Sequence, residues 1–134
     1  MKKLLGLGLA LWMSTGLALA HESHSKGVHF IMPVNGAVVE GAVSVKMAVA
    51  GMAVKKAGEL VADTGHFHLI IDGSFVPVGE PVAKDATHLH FGKGQSAAVL
   101  DLAKGEHALT LQFADGHHIS YGKAWSQTIR VRVK

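Results

Sequence analysis

This 134-residue sequence has no cysteine. That excludes a disulfide framework, a thiolate metal ligand and a cysteine nucleophile together. Also missing are the serine elbow G-x-S-x-G, the zinc helix H-E-x-x-H and the Walker spacing; Gly92 to Ser96, GKGQS, has glycines and a lysine but reads as a turn. Beyond one apolar run at the start there is no long hydrophobic segment, and no repeat or linker divides the chain. Nor does one sign of charge dominate: thirteen Lys and Arg stand against ten Asp and Glu, and two of the basic residues sit at the extreme N-terminus. The rest is close to neutral, so the composition does not point to nucleic acid.

Lys2 and Lys3, the apolar run Leu4 to Met13, and small residues ending in Ala18-Leu19-Ala20 have the three parts of a secretory signal peptide. The run is too short for a membrane span, which needs roughly 20 apolar residues. Cleavage before His21 is expected, dividing the chain into a leader at 1–20, a flexible His-containing tail at 21–27 and one domain at 28–134. The expected destination is periplasmic or secreted, with no membrane span after cleavage. Without cysteine, such a domain must be held by packing.

What the sequence has in excess is histidine: all ten lie beyond residue 20. They fall in a text that is β throughout. Val43, Val45, Met47 and Val49 alternate with polar or small residues, as do Leu109, Leu111 and Phe113, and Ile129, Val131 and Val133. Asn35-Gly36 and Asp115-Gly116 are turn dipeptides. Met52 to Asp63 reads as a loop with at most one helical turn, and Gly73 to Ala86 as a long connection with room for an edge strand at Ser74 to Val78. The expected fold is all-β, an antiparallel immunoglobulin-like β-sandwich. Phe67, Leu69, Ile71, Leu89, Phe91, Leu109, Leu111, Phe113, Ile129 and Val131 should be buried. The basic stripe Arg130, Arg132 and Lys134 reads as protection of a terminal strand against edge pairing.

Two strands carry the chemistry. In Thr64 to Asp72, TGHFHLIID, a period of two places Phe67, Leu69 and Ile71 on one face and His66, His68, Ile70 and Asp72 on the other. In Thr87 to Phe91, THLHF, Leu89 and Phe91 share a face opposite His88 and His90. If the two strands pair, four imidazoles can surround one ion, and Asp72 can ligate it or orient a ligand. The candidate metal ligands are therefore His66, His68, His88, His90 and Asp72. A second chelate is available at a mature N-terminus, from the amine and ring of His21 with His24. Nitrogen-rich sites suit copper(II) or zinc. His107 stands alone after a turn and reads as a hydrogen-bonded residue rather than a ligand.

TGHFHLIID, then ATHLHFGKGQ, then GEHALTLQFADGHH together resemble a family of small exported bacterial proteins known as domain of unknown function 4399. Phe67 stands where that family usually has a middle histidine, and ISYGKAW replaces a stretch usually richer in His and Pro. The resemblance matches His66, His68, His88 and His90 and supports the fold and the export, but it implies no activity. The leading reading is an exported, non-enzymatic sandwich that binds copper(II) or zinc through paired His-x-His strands. The alternative is a metal-free module whose histidines and Asp72 bind a cell-envelope glycan or a partner protein. A copper-dependent redox enzyme ranks third: GHFHL is similar to the copper strand of copper–zinc superoxide dismutase, but that enzyme's zinc loop and disulfide are missing.

Overall fold

The computed structural model describes residues 25–134; the expected leader, and with it His21 and His24, lies outside the described residues. Within them are nine strands: β1 Gly27–Met32, β2 Ala37–Val39, β3 Val43–Ala50, β4 Ala53–Val54, β5 Thr64–Ile71, β6 His88–His90, β7 Ala97–Leu100, β8 Gly105–Ala114 and β9 Ser126–Val133. The described residues include one 3-10 turn, at Lys123–Trp125, no α-helix, and no helix long and apolar enough to cross a membrane. Two sheets face each other. One runs β1-β3-β7, and the other runs β2-β9-β8-β5-β4 with β6 also paired to β5.

The alternating apolar residues of both sheets meet between them, as the period of two requires. Val28, Val43, Val45 and Met47 pack against Phe67, Leu69, Leu109, Leu111, Phe113, Ile129 and Val131. Phe113 is further flanked by the rings of Tyr121 and Trp125. The expected β-sandwich is thus the fold of this chain, with Ile71 and Leu89 only partly buried at the margin of the core. Leu111 is fully enclosed at its centre. Leu111→Ala should cost about 2 to 5 kcal/mol, measured as a lowered urea midpoint with an unchanged slope.

Several features depart from the sequence expectation, and β9, expected as an edge, is paired with β2 on one side and β8 on the other. Two short pairings, β2 with β9 and β4 with β5, are parallel within an otherwise antiparallel framework. Ser74 to Val78 forms no strand: Pro77 has no N–H to donate, and the Val76 N–H goes to Gln112 Oε1 at 2.9 Å. Above all, the outer face of β5 and β8 is not open. The 73–86 connection and the segment after β8 lie over it, joined to each other by hydrogen bonds from Val82 to His118 and from Ser120 to Glu80 and Val76. Ile70, Thr110 and Gln112, on the faces opposite the sandwich core, are consequently as buried as the core itself. Met52 to Asp63 contributes β4 and turns, without a helical turn.

Candidate metal centre

β5 is organised by its two faces. Phe67 and Leu69 anchor it in the core, and that anchoring forces His66 and His68 to the opposite face, beneath the covering segments, where both are completely inaccessible to solvent. On one edge β5 pairs with β8, on the other with β6, where His90 lies directly across from His68. His90 occupies its place because residue 92 is glycine: a Cβ there would overlap the imidazole at Cε1, and would meet Nε2 at 2.5 Å. Gly92→Ala should therefore displace the His90 ring while leaving the sandwich intact, visible as a moved His90 ring resonance without loss of the β-type circular-dichroism spectrum.

The fourth imidazole comes from the turn after β8. Asp115 accepts the backbone N–H groups of His117 and Ile119 on its carboxylate, and its carbonyl accepts that of His118, so the chain reverses within a few residues. His118 takes a left-handed backbone conformation, φ 66°, uncommon for a residue with a side chain. This aims its ring back over β5. One ring nitrogen from each of His66, His68, His90 and His118 then lies within 4.8 Å of the other three.

Sequence parity had grouped His66, His68 and His90 with His88 and Asp72. The structure brings the first three together with His118 and places the other two elsewhere. His88 faces Ile70 across the ladder, and its Nδ1 is 2.8 Å from Asp85, so it is turned to the outer loop. Asp72 is held at the far end of β5 by His107 Nδ1, at 2.9 Å, and by the Ala108 N–H. Within the sequence, His118 could be found only through the Asp115-Gly116 turn signal, because its approach to β5 depends on the path of the turn. His117, its neighbour, is exposed.

The electrostatics disfavour charge on His66, His68 and His90. Burial pushes the His66 pKa down to about 4, helped by His90 and His118 and opposed by Asp115. Burial again, with the neighbouring histidines, pushes His68 down to about 3. His90 is lowered by desolvation, then by His118 and by the positive charge of Lys84. Uncharged imidazole is the form that ligates metals. The nitrogens are also badly matched to hydrogen bonding. His66 Nε2 lies 2.9 Å from His68 Nε2 and 3.1 Å from His118 Nδ1, yet a neutral ring nitrogen is either one donor or one acceptor. It cannot make two good bonds. His66 Nδ1, His68 Nδ1 and His90 Nε2 are buried with no partner at all.

His107 shows the opposite behaviour. Its Nδ1 meets Asp72 and its Nε2 meets the Ala103 carbonyl at 2.7 Å, so both nitrogens face acceptors and the doubly protonated ring is favoured. The bond to Ala103, then that to Asp72, raises its pKa. Desolvation works to raise the Asp72 pKa, but the bonds from His107 and Ala108 prevail and lower it. The stability His107 contributes is therefore complete below pH 6.5 and is lost as pH rises through its folded-state value. The difference in urea midpoint between the unaltered protein and His107→Gln should shrink when the pH is raised from 6 to 9.

Comparison with known proteins agrees with this architecture. Residues 45–134, which include β5, β6, β8 and all four clustered histidines, match the family model "Domain of unknown function (DUF4399)". The chain belongs to this family. No curated protein matches. Among solved structures, the fold is similar to part of the X-ray structure of the endo-β-1,4-mannanase from Thermotoga petrophila, with a TM-score of 0.50 and 17% identity over 87% of this chain. This chain spans only 21% of that one, and the likeness is one of fold.

Proposed function

We propose that this member of the DUF4399 family binds a single transition-metal ion, copper(II) or zinc, through His66, His68, His90 and His118. The observation that carries the reading is the convergence of four imidazoles, buried or half-buried, whose facing nitrogens hydrogen bonds cannot all satisfy. A tetrahedral ion with nitrogens at about 2.0–2.1 Å would place them about 3.3 Å apart. Two separations in the cluster, 2.9 and 3.1 Å, are near that value, and all four nitrogens lie within 4.8 Å of one another. A cation accepts every lone pair that the rings present to each other and removes the conflict at His66. The donor set is all nitrogen, which suits copper(II) and zinc alike. Export by a cleaved leader, with the ion met in the periplasm or outside the cell, completes the proposal.

Metal content after loading and dialysis, together with thermal unfolding with and without chelator, tests it. One ion per chain is expected, with a stabilisation of about 4 kcal/mol when free metal is a thousandfold above Kd. Deleting residues 21–24 should leave most of that stabilisation in place, since the four ligands lie in the folded domain. A loaded protein that holds no metal, or a melting shift that disappears with the tail, would overturn the assignment.

A further inference from the structure

The histidine cluster is closed on the sheet side and open on one other. Against it lies a cavity of about 160 Å³ lined by His68, Val82, Lys84, His90 and His118. A wider cleft of about 350 Å³, lined by Lys84, His90, Gly92, Lys93 and Gln95, shares Lys84 and His90 with it. The way in therefore carries two lysines, and no carboxylate lines either space. Asp115, whose field reaches His66, belongs to neither lining and already accepts two backbone N–H groups.

The charge balance follows from the ligands. Four neutral imidazoles around a divalent ion leave two positive charges in a largely desolvated site, and Lys84 at its mouth adds another. Isolated charge in such surroundings is costly unless it is paired. At about 30 Å³ for each water, the inner cavity holds roughly five, enough space for a carboxylate or a phosphate-sized group beside the ion.

We propose that the cavity is the binding site of a small oxyanion, which joins the metal as a fifth ligand from outside the chain, expanding the four-imidazole shell, and is paired on its far side with Lys84. This rests on the metal reading above and names what the same site takes. Lys93 and Gln95 line the approach. The centre then recognises an ion and an anion together, as a metal carboxylate would present them.

Copper(II)-loaded full chain, titrated with sodium acetate and separately with inorganic phosphate, tests the inference by electron paramagnetic resonance and visible absorption. Saturable changes in the copper spectrum are expected for at least one anion. Lys84→Met should weaken that anion tenfold or more at one copper per chain, and Lys84→Arg should restore most of the affinity. An unchanged spectrum at full copper loading would overturn the anion site and leave the metal site standing. Equal anion affinity in Lys84→Met would also overturn it, because the pairing would then be absent. If the imidazoles take up neither copper(II) nor zinc, both readings fall, and zero stoichiometry for both ions distinguishes that result from the other two.

Discussion

Alanine at His68 and His90 together should abolish metal binding: stoichiometry should fall from one ion to none, and the melting shift on adding copper(II) or zinc should vanish. These two face each other across the β5–β6 ladder, with ring centroids 5.0 Å apart, so the pair removes half of the imidazole set. The remaining His66 and His118 offer two donors, fewer than the three protein ligands that open catalytic zinc sites retain. His118→Ala and His88→Ala separate this geometry from one built on strand parity. The first removes a ring in contact with His66, whereas the second removes a ring bound to Asp85 at the outer loop. Affinity should drop at least tenfold for His118→Ala and stay within twofold for His88→Ala. The reverse order, measured by competition with a chromogenic chelator, would mean that the cluster is not the binding site.

Acid should unfold the metal-free protein over a window set by the same rings. The folded-state pKa values of His66 and His68 lie at about 4 and about 3, below the unfolded value of about 6.5. The unfolded chain therefore binds more protons below pH 6.5, and the folded state loses stability as pH falls from there towards the folded-state values. Each ring costs roughly 1.4 kcal/mol per pH unit across that span, so the two together remove several kcal/mol between pH 6.5 and pH 4. Against a total stability of about 5–15 kcal/mol, this is enough to carry a domain of modest stability through its midpoint by about pH 4. Urea midpoints in chelator at pH 7, 6, 5 and 4.5 should show the fall, and His68→Gln should halve its slope. Bound metal should hold the midpoint up at pH 7 and lose its effect as protons compete for the ligands. A metal-free protein equally stable at pH 7 and 4.5 would show that these imidazoles are not buried in the neutral form.

Much of the architecture could be read along the chain because it follows from local periodicity. Val43 to Val49, Phe67 to Leu69, Leu109 to Phe113 and Ile129 to Val133 alternate with a period of two, and one face of each had to be buried whichever strands became partners. The same parity set His66 and His68 apart from the core, and three of the four clustered rings were already visible as members of His-x-His pairs. The DUF4399 match, over residues 45–134, includes both His-x-His pairs.

What parity determined by itself was which face each side chain occupies; what lies over that face was decided by tertiary structure. Antiparallel register set His90 against His68 but carried His88 two residues along to Ile70, where Asp85 is the nearer partner. The left-handed turn at His118 brought in a ring more than fifty residues away from His66 in sequence, and the 73–86 connection closed over the rings and made an outward face an interior one. Both depend on where loops return in space. Alternation along a strand carries no information about that return, because a loop's path is set by its contacts with elements distant in sequence.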